Sequence, residues 1–306
     1  MMKQMRIPPV LKPGDKIAII SPASVVRQEY VDGAAEFLKS RGFEPVVMPH
    51  ANGPAHGSYA AFHADRLADL TAAYSDPQIR AVLCARGGYG CNHLLPLIPE
   101  GLMKSDPKWL IGFSDISALH AYSQSEGVVS LHSPMAKHLT EHGAGDYSTE
   151  SLMKILTSGL PVEYESETHP LSRTGECEGI IRGGNLAVCN GLATTPFDPL
   201  CHENCILLIE DVSEQIYAVE RMLIRLRMAG VFDNLRGLVV GQFTEYRAPD
   251  RNHADMEHMI AEVVADYSFP VAMGFPVGHV ERNLPIPLGA NTRLEVGKEN
   301  TRIIFG

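Results

Sequence analysis

Residues 109–120 read WLIGFSDISALH: an apolar strand over 109–113 runs without a spacer into a helix beginning at Asp115 or Ile116, with Ser114 at the junction. This is the strand–turn–helix setting of a nucleophile elbow, which pushes a hydroxyl into a crevice where the helix N-terminus favours negative charge. Hydrolase elbows of the G-x-S-x-G kind have glycine two residues after the serine, whereas this chain has Ile116. Serine and aspartate are also the preferred helix N-caps, so the segment alone leaves Ser114 open as nucleophile or as cap.

The same grammar extends outward. Lys16–Ile20 reads as a buried strand, 30–40 as a helix ended by Gly42, 45–48 as a strand, and 61–74 as a helix with Leu67, Leu70 and Ala73 at helical spacing. Residues 81–84 form a strand running into ARGGYG, and 128–131 another short strand. Strands alternating with helices predict βαβ units and a mostly parallel sheet. Polar or glycine-rich residues follow the strand ends, and that edge of an open parallel sheet is where ligands bind. The Gly87–Gly88 pair either brings backbone N–H groups to a ligand or serves only as a tight turn.

From 158 to 178 the sequence is polar, with Pro161, Glu163, Glu165, Glu167 and Pro170, and reads as a linker. The expected domains are therefore 1–165, an α/β domain carrying Ser114, and 166–306, a smaller β-rich mixed α/β domain. In the latter, strands are expected at 180–182, 206–209, 237–241, 271–273, 292–296 and 302–305, and helices at 214–228 and 254–266.

Composition narrows the function. The chain has 306 residues, 45% of them hydrophobic, which is enough to bury a large core and weighs against disorder. Its formal charge of -10, from 26 basic and 36 acidic residues, disfavours nucleic acid, whose phosphates require clustered Lys and Arg. No apolar run approaches the roughly 20 residues of a membrane span. The basic start MMKQMRIPPVLKPGDK lacks a signal-peptide pattern, so a cytoplasmic chain is expected. Six cysteines without a C-x-x-C pair make neither a disulfide scaffold nor a zinc site; Cys201, His202 and Cys205 form a group too small for structural zinc.

A hydroxyl nucleophile requires a base, usually His, and an acid to orient it. Glu210 and Asp211 close an apolar strand in ILLIEDVSEQ, and His279 lies in the Gly- and Pro-rich loop GFPVGHVERNLPIPLG; His132, in SLHSP, competes as the base. Spacing alone pairs none of them with Ser114.

In order along the chain, ISPAS, ARGGYG, IGFSDIS, GGN, an apolar strand ending in ED, and GH followed by N and PLG resemble the S66 serine peptidases, the LD-carboxypeptidases and microcin C7 self-immunity peptidases. The resemblance implies a flavodoxin-like, class I amidotransferase-like first domain. It further implies Ser114 as nucleophile, Glu210 as acid, His279 as base, and the Asp115 and Gly88 N–H groups as the oxyanion hole. A side-chain change at Asp115 is then expected to leave its donor in place, and Gly88→Pro to remove one. Two departures are His132-Ser133-Pro134 where the family has H-G-P, and Thr194-Thr195-Pro196 where it has G-T-P.

The implied reaction is acyl-enzyme hydrolysis of an L,D-amide beside a free carboxylate, releasing D-alanine from a muropeptide in cell-wall recycling, without metal or cofactor. Arg86, with Gly87 beside it, is the first candidate to read that carboxylate; an internal salt bridge is the competing role, with Arg182 and Arg282 then the alternatives. The rivals are cleavage of an aminoacyl-nucleotide, which calls for an aromatic platform from Tyr or Phe, and non-catalytic anion binding, which gives no reason to assemble Ser114 with Glu210 and His279. The expected partners are a small peptide and a second copy in a homodimer; neither nucleic acid nor membrane is expected.

Overall fold

The computed structural model describes residues 5–53, 55–200 and 203–306, so Cys201 and His202 lie outside it. Among the described residues, no three potential metal ligands cluster and no helix is long and apolar enough to cross a membrane. The elements, in chain order, are β1 (Lys16–Ile20), α1 (Gln28–Ser40), β2 (Glu44–Val47), α2 (His63–Ser75), β3 (Ile79–Cys84), α3 (Leu102–Ser105), β4 (Trp109–Gly112), α4 (Ser117–Ser125), β5 (Ser130–His132), α5 (Ala136–Glu141) and α6 (Tyr147–Ser158). They continue with β6 (Val162–Glu167), β7 (Gly175–Asn185), α7 (Leu186–Gly191), β8 (Cys205–Val212), α8 (Ile216–Met228), β9 (Gly237–Thr244), α9 (Met256–Val263), β10 (Val271–Ala272), β11 (Ile286–Leu288), β12 (Asn291–Val296) and β13 (Asn300–Phe305).

Two compact units result: Met1–Gly159 with Leu284–Pro287, and Leu160–Asn283 with Leu288–Gly306. In the first, the sheet order is β2-β1-β3-β4-β5-β11, and β2 through β5 pair in parallel. This is a doubly wound α/β sheet of the flavodoxin order. Its central strands β1, β3 and β4 are almost continuously apolar because both faces are covered: Ile17, Ile19, Val82 and Leu110 are all wholly buried. The register Ala18↔Val82↔Leu110 brings the ends of β1, β3 and β4 side by side, so the segments starting at Ser21, Ala85 and Phe113 leave one edge together.

The second unit holds a seven-stranded sheet, β10-β9-β8-β7-β12-β13-β6. Its first four strands are parallel and the rest antiparallel. Helix α8 buries Ile216, Val219, Leu223 and Leu226, one face at helical spacing, each worth about 1.5–3 kcal/mol of burial.

The polar stretch read as a linker is instead β6 and the start of β7. In β6, Val162 and Tyr164 are buried while Glu163 and Glu165 are exposed, and β6 pairs with β13 at the sheet edge. Arg302 on β13 pairs with Glu163 at 2.6 Å. An edge strand with one wet face carries charge at every other position, so its composition reads as a loop. Four helices absent from the sequence reading also form: α3, α5, α6 and α7. For α6 the signal was present, since Asp146 caps the Thr149 N–H.

Candidate active site

In the first unit, Ser114 has φ +64°. Left-handed backbone at a residue other than Gly or Asn costs roughly 1–3 kcal/mol and persists only where its surroundings impose it. A helix N-cap has extended backbone and accepts a bond from the first turn; Ser114 does neither, since Phe113 holds the extended cap position and no side-chain cap bond forms. The geometry is that of an elbow. Ile116, in place of the glycine of other elbows, is wholly buried in the core.

The turn after β3 packs against the elbow. A Cβ on Gly87 would stand 2.7 Å from the Ser114 Cβ, and one on Gly88, at φ +103°, 2.3 Å from the Ser24 Oγ. Proline cannot take that φ. Gly88→Pro therefore distorts the turn and does not isolate the loss of one N–H. Ser24, in the loop after β1, clamps the turn: its N–H donates to the Gly87 carbonyl at 3.2 Å, and its Oγ accepts the Tyr89 N–H at 3.1 Å. Arg86 is exposed, and its Nη1 donates to the Val25 carbonyl at 2.9 Å, a turn-fixing bond to backbone in place of the internal salt bridge expected as its competing role.

In the second unit, the His279 Nδ1 lies 2.8 Å from the Glu210 Oε2; the Glu210 side chain is wholly buried and that of His279 is 20% exposed. Burial pulls the imidazole pKa down, but the Glu210 hydrogen bond and the charges of Glu210, Asp211 and Glu245 raise it by more, leaving it above the ordinary value. Two supports hold the pair. Gly278 has φ +120°, and a Cβ there would stand 2.9 Å from the Glu210 Oε2; its N–H donates to the Asn283 Oδ1 at 3.0 Å. Beside Glu210, Asp211 accepts from the Asn185 Nδ2 at 2.9 Å, from the Ala187 N–H at 2.8 Å and from its neighbour Val212 at 2.9 Å. Burial, then the Glu210 charge, push its carboxyl up to about 6.

The competing base, His132, is wholly buried, its ring 5.6 Å from that of Phe113 and 6.4 Å from that of His120. His120 is fixed beneath the elbow by the Gly112 carbonyl at 2.8 Å and the Ser130 hydroxyl at 2.9 Å. Of the alternative arginines, Arg182 is half-buried on β7, and desolvation lowers its guanidinium pKa.

Ser24, Asn185 and Asn283 carry no catalytic signature of their own, although each lies within one of the motifs ISPAS, GGN and GHVERN. Arg66, on α2 and 2% exposed, has no such motif around it, since an arginine on a helix face carries no local signal of its burial.

Comparison with known proteins agrees with this architecture. The LD-carboxypeptidase N-terminal domain matches residues 17–133, and the LD-carboxypeptidase C-terminal domain residues 178–294. The "Probable murein peptide carboxypeptidase" of Bacillus subtilis is 32% identical, with 98% of this chain and 94% of the relative covered. The microcin C7 self-immunity protein MccF of Escherichia coli is 27% identical over 95% of this chain and 93% of its own. The crystal structure of muramoyltetrapeptide carboxypeptidase from Oxalobacter formigenes aligns with a TM-score of 0.87 at 28% identity, covering 95% of this chain and 98% of that one. With both domains matched in order and relatives aligned nearly end to end, the chain belongs to the LD-carboxypeptidase family, the S66 serine peptidases.

Proposed function

We propose that this chain is a serine carboxypeptidase that hydrolyses an L,D-amide next to a C-terminal carboxylate, releasing D-alanine from a muropeptide through an acyl-enzyme. In this reading Ser114 is the nucleophile, His279 the general base and Glu210 the acid that orients it, with the Gly88 and Asp115 N–H groups receiving the oxyanion. The observation that carries it is the 2.8 Å bond between the buried Glu210 Oε2 and His279 Nδ1. A carboxylate there holds Nδ1 protonated and leaves Nε2 free to take a proton from a hydroxyl. His279 then returns that proton to the leaving amine, and water repeats the sequence on the ester.

The substrate assignment is tested with free and C-terminally amidated murein tetrapeptide, read by mass spectrometry. A site that buries the carboxylate against an arginine loses that charged partner on amidation, so kcat/KM is expected to fall sharply. Equal cleavage of the two rejects the exopeptidase reading. Arg86→Ala, tested in parallel, assigns the guanidinium: loss of the preference supports Arg86, and its survival moves the role to Arg182 or Arg282.

One observation favours a second reading, cleavage of an aminoacyl-nucleotide. The rings of Tyr59, Tyr89 and His93 cluster at centroid distances of 5.5–6.0 Å, and Tyr89, 52% exposed, offers a face on which a base stacks. Trp109 is wholly buried, as expected for a strand residue. An aminoacyl adenylate in the same assay separates the two substrates.

The pH profile follows from the charges around His279. The base acts when neutral, and its pKa is raised, so kcat/KM is expected to fall as pH drops through an apparent value above the ordinary histidine value of about 6.5. The Asp211 charge contributes to that rise, so Asp211→Asn is expected to move this limb to lower pH. A limb that stays in place rejects the coupling. The reading carries with it a cytoplasmic homodimer, tested by cell fractionation and by sedimentation of the purified chain.

A further inference from the structure

The Asp115 side chain is tied to the glycine turn. Its carboxylate is 2% exposed, and its Oδ2 accepts the N–H of Cys91, the residue that follows the turn, at 2.8 Å. The preceding residue, Gly90, is held by Arg66, whose Nη1 donates to its carbonyl at 3.0 Å and also to that of Pro22 in the loop after β1. The Arg66 Nε reaches the Ala61 carbonyl at 3.2 Å, and the whole side chain is 2% exposed. Burial raises the Asp115 pKa, while the Cys91 N–H and the charges of Arg66 and His93 favour its ionised form. Burying a carboxylate costs several kcal/mol unless partners compensate. This one, a single residue from Ser114, is used to grip a neighbouring loop.

We propose that the Asp115 carboxylate is a positioning group for the oxyanion hole: by holding the Cys91 N–H it fixes the Gly88 turn relative to the Asp115 backbone N–H. This rests on the reading of those two N–H groups as the oxyanion donors. One residue then supplies the first donor from its main chain and sets the spacing of the second through its side chain. Such donors act only within about 2.7–3.1 Å of the developing charge, and a displacement of about 1 Å can cost 10²-fold in rate. Contrary to the expectation from sequence, changing the side chain is therefore not silent. Because the oxyanion exists only in the tetrahedral state, the loss falls on kcat and not on KM.

The test uses the full chain with Asp115→Ala, Asp115→Asn and Ser114→Ala. It measures kcat and KM on the tetrapeptide, affinity for a peptide aldehyde that adds the Ser114 oxygen to its carbonyl carbon, and thermal unfolding. Asp115→Ala is expected to lower kcat by about 10²–10³-fold at nearly unchanged KM, with aldehyde affinity falling in step. Asp115→Asn, whose amide oxygen still accepts the Cys91 N–H, recovers most of both. Should Asp115→Ala not fold, Asp115→Ser takes its place, since its shorter side chain does not reach Cys91. The proposal is overturned if the folded short-side-chain variant keeps the wild-type kcat. It is equally overturned if kcat falls while aldehyde affinity holds, or if Asp115→Asn recovers nothing. Ser114→Ala separates this failure from that of the parent reading: retained activity there rejects the nucleophile, whereas an inactive Ser114→Ala beside a fully active Asp115→Ala rejects only the positioning role.

Discussion

Ser114→Ala is expected to lower turnover by about 10⁶-fold, the scale of nucleophile loss in other serine hydrolases, while leaving substrate binding and fold nearly unchanged. The size follows from the chemistry, because without the hydroxyl no acyl-enzyme forms and water must attack the amide directly. The fold survives because the hydroxyl caps no helix: the residue has φ +64° and makes no side-chain cap bond. Relief of the left-handed strain is not expected either, because alanine suffers there as serine does. The measurement is single-turnover hydrolysis by mass spectrometry, alongside labelling with a fluorophosphonate that phosphonylates an activated serine. Wild-type protein is expected to gain one adduct on Ser114 and the variant none. Turnover within tenfold of wild type would return Ser114 to a structural role.

Glu210→Gln is expected to lower kcat by about 10⁴-fold, with KM little changed, by analogy with the loss of the acid in other triads. The carboxylate only accepts hydrogen bonds, so at 2.8 Å from the His279 Nδ1 it demands a proton on that nitrogen and leaves Nε2 as the base. An amide of the same shape presents an N–H to Nδ1 and favours the opposite tautomer, with Nε2 protonated and unable to act. Size and packing are almost conserved, which matters because Glu210 is wholly buried and Gly278 is packed against its Oε2. Nitrogen-15 NMR of the His279 imidazole reads the tautomer directly. A fall of less than tenfold, or an unchanged tautomer, would remove Glu210 from the mechanism.

Much of the fold was legible because burial on both faces writes itself into sequence. WLIG and IAII are apolar throughout, their ends are punctuated by SD and SPAS, and the intervening helices keep their apolar period, so the parallel sheet and the edge at which Ser114 leaves it could be read residue by residue. The same logic failed for β6, where a wet edge face alternates glutamate with Val162 and Tyr164 and so resembles a linker.

The candidate residues divide along a similar line. Local sequence determined that a serine stands where a strand turns into a helix, that paired glycines follow a neighbouring strand, and that an acid closes an apolar strand of the second unit. The pairing of Glu210 with a histidine 69 residues away was implied by the family resemblance but by no local pattern, and tertiary structure alone decided the conformation of Ser114 and the bonds by which Ser24, Arg66 and the Asp115 carboxylate hold the glycine turn. The reason is physical. Periodicity records which face of an element is shielded from water, whereas a hydrogen bond between distant residues depends on strand order and register, which no local pattern carries.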